Sequence, residues 1–234
     1  MQSSFRLALA VVSTLSFAVA FAQSGSIVVD SKSNIFGAGS ANPTPQPGGG
    51  GGGIGAALVN LNPGTGRILR MNATGTWGWN GGQNNGADGG NFANLTSINS
   101  VDGISGYTGP LSGFLVAVFL DASSPDGQTA PAAFSYGSAS DYSLTTYAPL
   151  LRQVFFVGDG LTGDGTGDFQ DFLVPDGATR LYYGVADASG FFGNAGWYDD
   201  NVGSVTVEYG VVPEPATMLL LAGGMALAAR RRKK

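Results

Sequence analysis

Between Arg67 and Tyr209 the chain repeatedly alternates apolar with polar or small positions at a period of two. Leu69, Met71, Ala73, Gly75 and Trp77 form one such series, Leu181, Tyr183 and Val185 a second, and Val205, Val207 and Tyr209 a third. A period of two sends successive side chains to opposite faces of an extended backbone, so each series predicts a half-buried strand. The runs 114–120 and 154–157 are apolar on both faces and suit the centre of a packed sheet. A shorter strand is predicted over 26–30. No window outside the two ends of the chain carries a helical period. Turn residues punctuate the pattern at 81–90, at Pro125-Asp126-Gly127, at 158–167 and at Pro175-Asp176-Gly177. Together these features predict an all-β fold, an antiparallel β-sandwich or jelly roll of seven or eight strands.

The two ends read differently. Residues 1–22 carry one cation at Arg6, an apolar stretch from Leu7 to Ala20 and a small-x-small site at Ala20-Phe21-Ala22, the layout of a signal peptide removed before Gln23. At the other end Val212-Pro213-Glu214-Pro215 precedes an apolar run, 217–229, and then Arg230-Arg231-Arg232-Lys233-Lys234. Each proline removes an N–H and fixes φ, leaving an extended backbone open to a processing enzyme. As a helix, the apolar run would reach roughly 20 Å, short of the roughly 30 Å hydrocarbon core. Basic side chains that snorkel make up part of that difference and hold this end on the cytoplasmic side. The expected division is signal peptide 1–22, an N-terminal segment with a Pro/Gly-rich linker 23–53, a β-sandwich domain 54–211 and a sorting tail 212–234. The linker reading rests on Pro43-Thr44-Pro45-Gln46-Pro47 followed by six glycines, 48–53, which lack the Lys-Ser/Thr of a phosphate-binding loop.

The order of Pro-Glu-Pro element, short transmembrane helix and basic stop resembles the C-terminal signal of the PEP-CTERM proteins of Gram-negative bacteria. That resemblance implies recognition of Val212, Pro213, Glu214 and Pro215 by an exosortase-type membrane protease, a transient inner-membrane intermediate, and then release or attachment at the cell surface. The alternative is an ordinary C-terminal anchor carrying the motif by chance.

Composition closes several chemical routes. The chain has no cysteine and no histidine, which excludes Ser-His-Asp and Cys-His catalysis and the usual zinc sites. An exported chain without cysteine must draw its stability from core, turns or a bound ion. Over 23–212, five cations face fifteen carboxylates, a net charge of −10. That balance disfavours nucleic acid and favours divalent cations where carboxylates converge.

Three constellations are candidates for function. Aspartates spaced by glycines over 158–168 have the look of a calcium loop, but they lack the closing glutamate of an EF-hand and the copies of a nonapeptide roll. A hairpin loop with turn-capping aspartates is the simpler reading. The segment 181–207 joins a strand ending in Asp187 to a strand starting near Gly203 through a glycine-rich loop that closes with Asp199-Asp200-Asn201. It resembles the calcium-dependent galactose-binding lectins of bacteria. The likeness implies Asp187, Asp200 and Asn201 as metal ligands, with Gly203 and Ser204 following, and a backbone carbonyl near Trp79. Asp200 stands where those lectins carry an amide, and their histidine-bearing sugar loop has no counterpart here. The plain alternative is that these are turn residues. The third constellation is aromatic: Trp77, expected in the core, with Trp79, Phe191 and Phe192, and with Trp197 and Tyr198 as candidate ligand-binding residues.

The expected function is a non-catalytic, exported protein of the cell surface or extracellular matrix, with a calcium-supported and carbohydrate-binding sandwich. Extracellular polysaccharide is then a partner. The alternative is a structural exopolysaccharide or biofilm-matrix protein with no ligand site. A hydrolase using Asp187 and Asp200 would need a carboxylate separation that sequence does not define.

Overall fold

The computed structural model describes residues 23–79, 81, 85–90 and 95–213. The short transmembrane helix and the signal peptide expected at the ends lie outside them. Two sheets face each other. The first has five strands in the order β1 (Gln23–Asp30), β17 (Val202–Pro213), β5 (Arg67–Gly78), β14 (Asp171–Val174) and β10 (Thr146–Tyr147). The second runs β11 (Val154–Phe156), β8 (Leu115–Leu120), β15 (Arg180–Val185), β2 (Ser33–Asn34) and β3 (Ile54–Gly55), with β4 (Ala57–Asn60) also paired to β15. A smaller sheet of β16 (Phe192–Gly193), β6 (Thr96–Ile98), β7 (Tyr107–Gly109) and β9 (Phe134–Ser135) is not hydrogen-bonded to these two but packs into the same core through Ile98 and Tyr107. The ribbon β12 (Leu161–Gly163) and β13 (Thr166–Phe169) completes the set. The fold is all-β, as the period-two pattern predicts. Its strands number seventeen among the described residues rather than seven or eight, because loops fold into pairs of two to four residues.

The long alternating series become the longest strands. Twelve residues of β5 pair with all twelve of β17, from Arg67↔Pro213 to Gly78↔Val202. Leu69, Met71, Ala73 and Trp77 of β5 turn inward, as do Val205, Val207 and Val211 of β17. The doubly apolar run forms β8, whose six residues are all buried between β11 and β15. Contacts across the two layers are specific. Tyr183 of β15 donates its hydroxyl to Met71 Sδ at 3.1 Å, and the rings of Phe155 and Phe172 lie 5.4 Å apart.

A second feature of the core is a group of stacked tyrosines. Tyr136 and Tyr142 lie 4.8 Å apart at 3° between planes, and Tyr107 packs on Tyr136 at 5.4 Å. Their hydroxyls stay satisfied: Tyr107 bonds Tyr142 at 2.9 Å, and Tyr136 accepts from Phe156 N. Burial pushes these phenols upward, so they remain neutral hydroxyls.

The segment 23–53, expected as a lead-in and linker, is integrated with the sheets. β1 pairs with β17 over eight residues, from Gln23↔Val211 to Asp30↔Ser204. The Gln23 amide donates to Asn60 O at 2.6 Å and its oxygen accepts from Asn62 N at 2.9 Å. The glycine tract hydrogen-bonds with the loop before β17: Gly48 N to Ala195 O, Trp197 N to Gly49 O, Tyr198 N to Gly51 O. Lack of Cβ atoms makes that approach feasible, since a Cβ on Gly50 would sit 2.4 Å from Trp197 Cδ2.

Candidate binding cavity

The chain leaves β15 at Val185 and enters β17 at Val202, and the loop between them folds back on itself. Ala188 bridges Ala195, and Gly196 N donates to Asp187 O. Asp187 closes the strand end with 4% of its surface exposed. Its Oδ1 accepts from Ala188 N at 2.7 Å and its Oδ2 from Asn201 Nδ2 at 2.8 Å. Asn201 is fully buried and also donates to Ser31 O at 3.0 Å. Both neighbours of that nitrogen are acceptors, which determines the amide orientation. Asn201 Oδ1 then has no hydrogen-bond partner, although it is out of contact with solvent.

These residues surround a cavity of about 240 Å³ lined by Trp79, 187–191, Trp197, Asp200 and Asn201. Of the residues that sequence reasoning singled out for a metal, Asp187, Asp200, Asn201 and Trp79 all border it. Trp79 follows the end of β5, next to the Gly78↔Val202 pair, and Asp200 is held by Gly81 N donating to its carbonyl. Trp79 packs edge-on to Phe191, with centroids 5.7 Å apart. Trp197 is 41% exposed at the rim and its indole donates to Gly48 O at 3.3 Å.

Tyr198, expected at the ligand surface, points the other way. It is fully buried, donating its hydroxyl to Val185 O and accepting from Asp187 N. Trp197 has φ +69°, a backbone held by its hydrogen bonds to Gly48 and Gly49, which reverses the chain and turns the next side chain inward. Phe191, at φ +61°, is also in the left-handed region. Two of the four non-glycine residues with positive φ among those described therefore border this cavity. Such backbone costs about 1–3 kcal/mol at each position and persists only where surrounding contacts hold it.

The electrostatics follow from burial. Desolvation pushes the Asp187 carboxyl up to about 7, against the hydrogen bonds from Asn201 and Ala188, and the Asp200 charge adds to the rise. At neutral pH the group is therefore near the midpoint of its titration.

The glycine-spaced aspartates lie elsewhere. Asp159 accepts from Leu161 N at 2.8 Å and from Gly165 N at 2.7 Å, a turn-capping role. Asp164 stands at the tip of the β12–β13 ribbon. Asp88, from a distant loop, joins them, so that one oxygen from each of Asp88, Asp159 and Asp164 lies within 4.8 Å of the others. Asp88 Oδ1 accepts from Asp159 N, and its Oδ2 is buried without a partner. Burial first, and then the Asp159 and Asp164 charges, raise Asp88 to about 7. Sequence reasoning missed Asp88 because nothing near it in the chain marks it.

No curated protein matches the chain significantly. Residues 211–233 match the PEP-CTERM protein-sorting motif, beginning inside β17 and ending in the basic stop. This C-terminal stretch is thus the sorting signal of an exported protein processed by an exosortase.

Proposed function

We propose that the mature domain is a non-catalytic β-sandwich that binds calcium and, with its support, carbohydrate at the cell surface or in extracellular polysaccharide. The observation that carries this reading is the convergence of Asp187, Asp200 and Asn201 with Trp79 and Trp197 on one cavity. A hard cation takes six to eight oxygen ligands, and carboxylates, an amide oxygen and a backbone carbonyl are the donors it prefers. The partnerless Asn201 Oδ1 supplies an acceptor whose burial is otherwise uncompensated. Asp187 and Asp200 would hold the ion together with that oxygen and the Trp79 carbonyl. When bound, the ion supplies positive charge beside the buried Asp187 carboxyl. Trp197 at the rim offers an apolar face for sugar C–H groups beside polar edges for hydroxyls.

One observation favours the second reading, a matrix protein whose cavity has no ligand: both oxygens of Asp187 already accept hydrogen bonds within the chain. A glycan array probed with and without millimolar calcium separates the two. Calcium-dependent binding that Trp197→Ala and Asp187→Asn each remove supports the lectin-like reading. Absence of any glycan signal in either condition leaves the matrix reading.

A further inference from the structure

We infer that the unprocessed protein stands upright on the membrane, on the pole where β1 begins and β17 ends, and presents the Asp187–Asn201 cavity at the opposite pole. The inference rests on the sorting-tail reading and, for its functional meaning, on the cavity reading above.

The motif does not start after a linker. Val211 and Val212 are buried within β17, and Pro213 is still in register with Arg67. Only Glu214, Pro215 and Ala216 separate that pair from the apolar run that begins at Thr217. Four Cα steps span at most about 14 Å, so the end of β17 cannot move far from the hydrocarbon edge. The start of the mature chain lies at the same pole, because Gln23 pairs with Val211. Before the signal peptide is removed, both membrane-directed segments therefore leave the domain side by side.

The cavity is at the other end of the same strand. From Pro213 to Val202, β17 rises roughly 36 Å at 3.3 Å per residue. Asn201 precedes its first residue, and Trp79 follows the last residue of its partner β5. Charge keeps the molecule upright. Asp30, Asp187, Asp199 and Asp200 gather at the far pole against Lys32, which follows Ser31 beside Asn201, so the excess there is acidic. An anionic leaflet attracts basic segments and repels a pole of this composition. The lipid surface is thus a neighbour imposed by the tether rather than a ligand of the domain, and the cavity is left open to polymers beyond the membrane.

The absence of cysteine makes a direct test simple. Precursor with its tail intact, made in a host without the protease, is reconstituted into phosphatidylcholine/phosphatidylglycerol vesicles carrying a headgroup quencher. A fluorophore is placed on Thr65→Cys, in the exposed β4–β5 turn at the tail pole, or on Asn194→Cys, in the exposed loop at the cavity pole. Most of the fluorescence should be lost at residue 65 and none at residue 194. Equal quenching at both positions, in protein that floats with the vesicles, would overturn the orientation while leaving the tether intact. Failure to float would overturn the tether itself, and the orientation with it. The calcium response of the same samples, read separately by melting, reports on the cavity whatever the orientation.

Discussion

Asp187 and Asn201 meet across a loop of thirteen residues, with Asn201 Nδ2 donating to Asp187 Oδ2 at 2.8 Å. The contact joins the end of β15 to the start of β17 and ties the loop that carries Phe191 and Trp197 to the rigid part of the sandwich. It also leaves Asn201 Oδ1 without a partner beside the cavity.

Calcium should therefore stabilise the protein through this pair. At one hundred times the dissociation constant, a ligand of the native state adds about 2.7 kcal/mol by mass action. An extracellular module with few charged ligands binds at about 10⁻⁴ to 10⁻³ M, so millimolar calcium is the relevant range, and magnesium, which demands a tighter octahedral shell, should do much less. Differential scanning calorimetry is the measurement. Asp187→Ala should abolish the calcium shift and Asp164→Ala should leave it. The opposite result would move the ion to the Asp88, Asp159 and Asp164 cluster.

Without calcium, stability should depend on pH in the direction opposite to that of a salt-bridged carboxylate. Asp187 and Asp88 titrate near 7 in the folded protein and near 3.8 when unfolded. The fold therefore binds protons more tightly than the unfolded chain. The contribution is complete below about pH 4 and is lost as pH rises through about 7. In chelator, the melting temperature should fall between those limits, and Asp187→Asn should flatten part of the slope. A flat profile in the parent protein would contradict the burial argument for both residues.

Replacing Pro213, Glu214 and Pro215 with alanine should leave export intact and prevent processing, so that the uncleaved protein stays in the inner membrane. Fractionation followed by immunoblotting measures this. Because Pro213 is the last paired position of β17 and contributes no N–H, its replacement removes no ladder hydrogen bond, and the domain itself should melt close to the parent temperature. Release of the variant at the parental rate would remove the motif from the sorting pathway.

Gly50→Ala should destabilise the domain and disturb Trp197. The residue has φ +69°, and a methyl group there would meet the indole ring at 2.4 Å, so strain of about 1–3 kcal/mol is expected. Gly49→Ala faces open space and should cost less, limited to its own backbone strain. Denaturant midpoints and the tryptophan emission of the two variants give the comparison. Equal and negligible effects would show that the glycine tract does not hold the rim.

Period and punctuation were enough to read the class of this fold. Leu69, Met71 and Ala73 face the core because a strand alternates its side chains whatever it pairs with, and 115–120 is buried on both faces because no polar residue interrupts it. The tail was legible for a similar reason: its three parts act in order along the chain and need no tertiary context. Asp187, Asp200 and Asn201 were nameable as candidates because they bracket one loop. Only the tertiary structure decided what surrounds them. Tyr198 turns inward because Trp197 adopts a left-handed backbone held by Gly48 and Gly49, residues about 150 positions earlier. Asp88 reaches Asp159 across 71 residues, and Gln23 clamps the turn at Asn60 and Asn62. Local pattern reports which face of an element is apolar. Which loops close over one another depends on backbone hydrogen bonds and steric fits between distant segments, and these leave no period in the sequence.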